Sequence, residues 1–390
     1  MINLAIAGKP NCGKSTFFAA ATMAPAEIAN YPFTTIDANN GVAYVRVNCA
    51  CKELGIENCP ACHNGVRFIQ IGLIDVAGLV PDAHKGRGLG NKFLDNLREA
   101  DAIIHLIDAS GSTDEEGNPV EKGSHNPASD IGFVESEMKM WVYGLIEKNW
   151  HKIQRSAQQK TYSIEDAIAE QLGGLAITPE HVVDAVRKTD INLKTCTEEE
   201  LIEFCGALVE LSKPFFVVGN KADCATPTIL EDLKKQKISF SSAAGELALK
   251  KAAEAGLLKY VAGDSDFTIN EPDKLNSAQK AGLEAIRNVL KEFGGTGVQQ
   301  AINEIVFGLL DMIVVFPVED ENKYCDGKDR ILPDAYLMKR GSTPHDLAFQ
   351  VHTDIGKGFL YAVDAKTKMR IKESHELKSG DVIKIVSTKK

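Results

Sequence analysis

The sequence of 390 residues contains no apolar run of the ~18 residues that a membrane-spanning helix needs. The nearest approach, Val306 to Phe316, is broken by Asp311, so no membrane partner is expected. A basic leader with a cleavage site is also missing. Ile2-Asn3-Leu4-Ala5-Ile6-Ala7 enters an apolar strand at once, and the expected location is cytoplasmic. There is no excess of positive charge. The 44 basic residues face 54 acidic ones, a net charge of −10, which argues against a surface coated for nucleic acid. No internal repeat or low-complexity tract stands out. The nine cysteines are odd in number and follow no secretory leader, which argues against a disulfide framework.

What is present is ordinary globular composition, 44% apolar and 25% charged, in a chain long enough for two or three domains. The charge is uneven. Residues 331–390 hold 11 Lys/Arg and 7 Asp/Glu, +4, which leaves −14 for the rest. A small basic module on an acidic body could face RNA, although ordinary surface scatter accounts for the same numbers.

Apolar runs end in polar residues at regular stages along the chain. Ile2 to Ala7 runs into Gly8, Ile69 to Ile74 into Asp75, Ala102 to Ile107 into Asp108, and Pro214 to Gly219 into Asn220; Ile238 to Ser241 is a short fifth run. Such runs with helices between them predict a doubly covered α/β parallel sheet, whose ligands bind at the C-terminal ends of the strands. About 100 residues separate Ser110 from Ser212, far more than the dozen or so that a crossover requires. Helix-start signals at Ser163/Asp166, Thr178-Pro179 and Thr197/Glu200 predict a helical insertion over roughly 130–210. Beyond Gly297, a helix and the run Ile313 to Phe316 lead into short alternating strands, a small α+β module.

Gly8-Lys9-Pro10-Asn11-Cys12-Gly13-Lys14-Ser15 matches G-x-x-x-x-G-K-S between a strand and a helix. Its backbone N–H groups, through Thr16, and the helix N-terminus can cradle phosphates, with Lys14 on the β- and γ-phosphates and Ser15 on Mg²⁺. Asp75-Val76-Ala77-Gly78 supplies an Asp that can hold Mg²⁺ through water and a glycine N–H for a γ-phosphate. Asn220-Lys221-Ala222-Asp223 suits guanine: the Asp223 carboxylate can accept both the ring N–H and the amino group, which adenine lacks, while Lys221 packs over the base. Ser242 and Ala243, after the next strand, offer small residues and N–H groups near a base carbonyl.

These four motifs, in this order at four strand ends, resemble the signatures of translation-factor-class GTPases. Asn30-Tyr31-Pro32-Phe33-Thr34-Thr35-Ile36 resembles switch I of the Obg-related GTPases; Asp75 to Leu79 with Gly86-Arg87-Gly88-Leu89-Gly90-Asn91 resembles their switch II. Nearly the whole chain is similar to the YchF-type branch. The resemblance implies a P-loop GTPase domain over 1–310 with its helical insertion, and a C-terminal TGS domain of ubiquitin-like β-grasp fold over 311–390. It implies that Thr35 closes on Mg²⁺ together with Ser15 and Asp75, and that Lys14, Thr35 and Gly78 carry catalysis. It implies a potassium ion beside the phosphates at Asn11. A ribosome or ribosomal RNA is the implied partner of the TGS domain.

Leu79 stands where Ras-like proteins place a glutamine that orients water, so hydrolysis of GTP to GDP should be slow unless a monovalent ion, another residue or a partner completes the site. His84 and Arg87 could assist, and are otherwise solvated loop side chains; His105, inside a strand, reads as a core histidine. The expected protein is a slowly hydrolysing GTP switch acting on ribosomes or translation. The alternatives are an ATPase of the same fold, against which Asp223 argues, and an RNA- or ribosome-binding module with little turnover. Separately, Cys49-Ala50-Cys51 and Cys59-Pro60-Ala61-Cys62 have the spacing of a structural zinc site, with four reduced thiols or disulfides as the other readings.

Overall fold

The computed structural model describes residues 1–24, 35–37 (backbone only), 40–85, 97–157 and 163–389. Among these, no helix is long and apolar enough to cross a membrane. Asn30 to Thr34 and Gly86 to Asn91, with Arg87, lie outside the described residues.

The N-terminal strand β1 (Asn3–Ala7) leads through the Gly8–Gly13 loop into helix α1 (Lys14–Thr22). Strands β2 (Thr35–Asp37), β3 (Asn40–Asn48), β4 (Val66–Asp75) and β5 (Ala102–Asp108) follow. Next come α2 (Phe133–Ser156), α3 (Ile164–Gln171), α4 (Pro179–Thr189) and α5 (Glu198–Ser212), before β6 (Phe215–Asn220), α6 (Pro227–Lys235), β7 (Ser239–Ser241) and α7 (Ala243–Glu254). A ribbon of β8 (Leu258–Lys259) and β9 (Thr268–Ile269) precedes α8 (Ser277–Phe293) and α9 (Val298–Glu304). The chain ends in β10 (Met312–Val318), β11 (Tyr336–Lys339), α10 (Pro344–Val351), α11 (Thr353–Lys357), β12 (Phe359–Asp364), β13 (Met369–Ile371) and β14 (Asp381–Ser387).

The first sheet has the order β2-β3-β4-β1-β5-β6-β7. Strands β4, β1, β5, β6 and β7 pair in parallel. At the other end β2 runs antiparallel to β3, an addition that the five apolar runs do not announce. Every residue of β5 is buried, as a central strand covered on both faces must be. The insertion is helical as expected, and Ser163, Thr178 and Thr197 each form the capping box at its helix start. Each such cap is worth roughly 1 kcal/mol. Val134, Met138, Val142 and Ile146 of α2 form one apolar cluster with Phe204 and Leu208 of α5 and with Leu79 and Ala83 beyond β4. Full burial of each large side chain there contributes about 1.5–3 kcal/mol.

The chain divides into two compact units by packing: 1–43 with 71–301, and 44–70 with 302–390. The second unit therefore takes in the segment between β3 and β4 as well as the C-terminal module. Its five-stranded sheet has the order β11-β10-β14-β12-β13, with β10 and β14 parallel and the other pairs antiparallel. Side chains alternate along β10. Ile313 and Val315 join Leu347 of α10 on one face, while Val314, Phe316 and Val318 meet Cys49, Ala50 and Cys51 on the other. This is a β-grasp arrangement with a second layer on its open face.

Candidate nucleotide-binding site

Two glycines shape the loop after β1. A Cβ on Gly8 (φ 152°) would lie 2.3 Å from the Leu106 carbonyl oxygen, and one on Gly13 (φ 99°) would lie 2.3 Å from Asn220 Nδ2. Neither space admits a side chain, and Asn11 between them also takes a left-handed turn (φ 61°). Lys14 is buried; its Nζ donates to the carbonyls of Gly8 (3.1 Å) and Lys9 (2.9 Å), folded over the loop. Thr16 is half-buried in the first turn of α1.

Ser15 Oγ donates to Asp75 Oδ2 at 3.2 Å, so the two side chains expected to share Mg²⁺ meet. Burial raises the Asp75 carboxyl above its ordinary value. Gly78 packs on the loop so closely that a Cβ would come within 2.9 Å of Pro10. Leu79 donates its N–H to the Gly8 carbonyl at 3.1 Å, while its side chain is buried in the helical cluster. Thr35 occupies β2, its backbone opposite Gly41. His84 does not stand as a solvated side chain. Its Nδ1 lies 2.6 Å from Glu137 Oε2 on α2, and Glu137 also accepts the N–H groups of Asp82 (2.9 Å) and His84 (3.0 Å). His105 is buried, and burial pushes its imidazole down to about 4, which leaves it a neutral core residue.

The motif after β6 ties the site together. Asn220 Nδ2 donates to the Cys12 carbonyl at 3.0 Å, while its Oδ1 accepts from Ser241 Oγ (3.1 Å) and the Ala243 N–H (3.2 Å). The Ala243 N–H is thus held by Asn220, and Ser242 caps α7 through the Gly245 N–H. Burial raises the Cys12 thiol. Lys221 sits in a left-handed turn (φ 61°) with its Nζ 2.8 Å from Asp108 Oδ2. Asp223 is exposed and accepts a hydrogen bond from the Cys224 thiol at 3.4 Å.

Some of the site's residues are not among those that the motifs single out. Asp108 is fully buried and accepts from the Ser110, Ser112 and Thr113 hydroxyls as well as from Lys221. Burial pushes its carboxyl up, but the Lys221 ammonium and the serine hydroxyls outweigh this and hold it below the ordinary value. The segment after Asp108 lies on the phosphate loop. Lys9 Nζ pairs with Asp130 Oδ2 (2.6 Å) and donates to the Thr113 carbonyl (2.9 Å), and Asn11 Nδ2 donates to the Gly117 carbonyl (3.0 Å). The hydroxyls at Ser110, Ser112 and Thr113 just beyond a strand-end Asp are a legible signal of a self-bonded turn.

In the second unit, the Sγ atoms of Cys49, Cys51, Cys59 and Cys62 all lie within 4.8 Å of one another.

The strand order, the phosphate loop and the polar strand ends define a P-loop nucleotide-binding protein of the GTPase class. Three family models match in succession: a 50S ribosome-binding GTPase model over residues 3–133, the Obg-like GTPase YGR210-like G4 motif-containing domain over 218–320, and the TGS domain over 326–387. A GTP-binding protein of Methanocaldococcus jannaschii is 48% identical over 398 residues, covering 100% of both chains. The ribosome-binding ATPase YchF of Buchnera aphidicola is 26% identical, covering 97% of both chains. The crystal structure of a GTP-binding protein from Pyrococcus horikoshii superposes with a TM-score of 0.78 at 37% identity, covering 99% of this chain and 100% of that one. The chain belongs to the Obg-like GTPases of the YchF type, with a C-terminal TGS domain.

Proposed function

We propose that this protein is a guanine-nucleotide switch that hydrolyses GTP slowly and acts on ribosomes, with a GTPase domain over 1–310 and the TGS domain over 311–390. The observation that carries the reading is the placement of Asn220. It links the phosphate loop at Cys12 to the turn at Ser241 and Ala243, while the Asp223 carboxylate stays exposed beside them for a base. In this reading Gly8, Pro10, Asn11, Cys12, Gly13, Lys14, Ser15 and Thr16 surround the phosphates. Asn220, Lys221, Asp223, Ser242 and Ala243 surround the base.

Ser15 and Asp75, 3.2 Å apart, are oxygen donors of the kind Mg²⁺ takes, and Thr35 would join them. Mg²⁺ held by these residues would supply positive charge against the phosphate oxygens. Lys14 adds charge at the same oxygens, and the Gly78 N–H reads the γ-phosphate. Thr35 and Gly78 together then hold the two switches until that phosphate leaves. Asn11 is oriented by its bond to Gly117, and its side-chain oxygen would be the donor to a potassium ion. With Leu79 buried in the core, the side chain after Gly78 offers no polar atom to an attacking water, which supports slow turnover.

The match to the 50S ribosome-binding GTPase family and the similarity to the ribosome-binding ATPase of Buchnera support a ribosome as partner. The local charge adds little, because Lys366 pairs with Glu53, Lys384 with Glu321 and Arg340 with Asp311. The Buchnera relative's description also supports a second reading, an ATPase of the same fold. The buried Leu79 supports a third, a ribosome-binding module with little turnover.

Single-turnover hydrolysis in potassium and in sodium, with and without ribosomes, tests the reading. GTP cleavage that is slow alone and faster with potassium and ribosomes fits a switch. Equal rates in the two salts would remove the potassium ion, and no cleavage in any condition would favour the binding module. Co-sedimentation with ribosomes should fall when the exposed Lys357, Lys372 and Lys378 of the TGS domain are changed together to Glu.

A further inference from the structure

The segment between β3 and β4 poses a folding problem of its own. Residues 52–64 read Lys-Glu-Leu-Gly-Ile-Glu-Asn-Cys-Pro-Ala-Cys-His-Asn, in which Leu54 and Ile56 are the only large aliphatic residues. So short an excursion cannot hold a fixed shape by burying its own side chains, and chains of this kind are ordinarily held by a cross-link or a metal. The backbone nevertheless forms a compact knuckle. Leu54 N–H reaches the Ala50 carbonyl (3.1 Å), Ile56 N–H the Cys51 carbonyl (2.9 Å), and Cys49 N–H the Gly65 carbonyl (2.8 Å); His63 and Val66 exchange bonds of 2.8 Å each.

This turn structure brings four sulfurs to one point. Cys49 and Cys51 come from the end of β3, Cys59 and Cys62 from the approach to β4. Cys49 and Cys59 Sγ lie 3.9 Å apart, Cys51 and Cys62 Sγ 3.5 Å, and all four fall within 4.8 Å of one another. A disulfide requires about 2.05 Å between two sulfurs and gives no reason for a second pair to converge on the first. Tetrahedral zinc with bonds of ~2.3 Å places its four sulfurs about 3.8 Å apart. Four thiolates with no nitrogen or oxygen donor among them suit zinc over magnesium, calcium or manganese.

We propose that Cys49, Cys51, Cys59 and Cys62 hold a structural zinc ion, and that this ion fixes the knuckle as the layer covering the second face of the TGS sheet. Cys49, Ala50 and Cys51 pack with Val314, Phe316 and Val318 of β10, Leu332, Ala365 and Val382. Arg67, just after the knuckle, donates to the carbonyls of Leu332 (2.6 Å) and Pro333 (2.7 Å), and its guanidinium lies 5.5 Å from the Phe316 ring centre. Glu53 of the knuckle pairs with Lys366. Without the metal these contacts lose their scaffold, and an apolar face centred on Phe316 opens to water. The site is closed, with four protein ligands and no position for a substrate, so its role is folding rather than catalysis.

The test uses the full-length protein purified without chelator from zinc-supplemented cells. Metal analysis should find one zinc per chain, and an organomercurial that titrates the thiols should release it in step. Refolding with cobalt should give the visible absorption of a tetrahedral tetrathiolate. Cys59→Ser with Cys62→Ser should lose the metal and expose 44–70 and the TGS domain to protease, while Cys196→Ser keeps the metal. Wild-type protein that carries no zinc, that carries iron instead, or whose four cysteines are found as disulfides would overturn the proposal. Because these readouts are taken on the wild type, they stand even if the double variant fails to fold, and none depends on nucleotide binding.

Discussion

Lys221 Nζ lies 2.8 Å from the buried carboxylate of Asp108, so the lysine expected to cover the base is held from beneath by the end of the neighbouring strand. Asp108 also gathers the hydroxyls of Ser110, Ser112 and Thr113 and so shapes the turn that starts the loop over Lys9 and Asn11. Asp108→Ala removes the carboxylate that meets the half-buried Lys221 ammonium and that accepts from the Ser110, Ser112 and Thr113 hydroxyls, of which Ser110 and Ser112 keep only their mutual bond of 2.8 Å. Lost hydrogen bonds to a charged group cost about 1.5–3 kcal/mol each. The expected outcome is a nucleotide affinity at least about tenfold weaker, with a lower midpoint in urea. Isothermal titration and equilibrium unfolding measure the two effects.

The same carboxylate makes stability depend on acid. Its folded-state value lies below the ordinary 3.8. A depressed carboxylate contributes stability that is fully present above the unfolded value and is lost as pH falls through the folded one. The wild type should therefore lose stability below about pH 4 more steeply than Asp108→Asn. Urea midpoints measured from pH 7 down to 3 check this; parallel curves would contradict it.

Asp75 behaves in the opposite sense. Burial raises its carboxyl, so the ionised form is disfavoured in the folded protein without a cation, and the contribution of the protonated form is lost as pH rises through the raised value. In metal-free protein at neutral pH, Asp75→Asn should raise Tm, each 1 kcal/mol being worth about 2–4 °C or less in a chain of this size. In Mg²⁺ the same variant should lose hydrolysis. Differential scanning calorimetry with and without Mg²⁺ separates the two outcomes.

Glu137 reaches from the helical insertion to the turn after Leu79, where it accepts three hydrogen bonds from Asp82 and His84. If that turn must be held for the γ-phosphate to be cleaved, Glu137→Ala should slow single-turnover hydrolysis about tenfold, equivalent to ~1.4 kcal/mol, and leave nucleotide affinity within about twofold. Equal losses in affinity and rate would mean that the contact supports the fold alone. The insertion would then be a structural prop and not part of the switch.

Lys250 of α7 is buried, and its Nζ donates to the carbonyls of Ala20 (2.7 Å) and Met23 (3.0 Å) at the end of α1, with Glu246 Oε1 3.7 Å away. Glu246 in turn accepts from Tyr260 (2.6 Å) and Thr296 (2.5 Å). Lys250→Met removes one partner of a buried charge pair, a change that costs about 3–5 kcal/mol. Adding Glu246→Gln should recover part of that loss. A double-mutant cycle in urea checks the coupling.

The legible parts of this protein are those written locally. Apolar runs closed by Asp75, Asp108 and Asn220 mark strand ends, and Ser163, Thr178 and Thr197 mark helix starts within three residues of their partners. The phosphate loop is likewise a contiguous string. Strand β3 carries β-formers at Val42, Tyr44, Val45 and Val47, but its pairing with β2 and its run into the knuckle depend on tertiary placement. The Lys9–Asp130 pair joins residues 121 positions apart, and no local pattern foretells it. The four cysteines are legible as a spacing, while their convergence and the face they cover depend on a sheet that begins some 250 residues later.

The central claim is that Asp223 reads a guanine base. Binding of GTP and ATP should be measured side by side in potassium and Mg²⁺ for the wild type and Asp223→Ala. The account requires tight GTP binding that weakens at least about tenfold in the variant, with ATP weak in both. A preference for ATP that is indifferent to Asp223 would contradict it and place the base elsewhere.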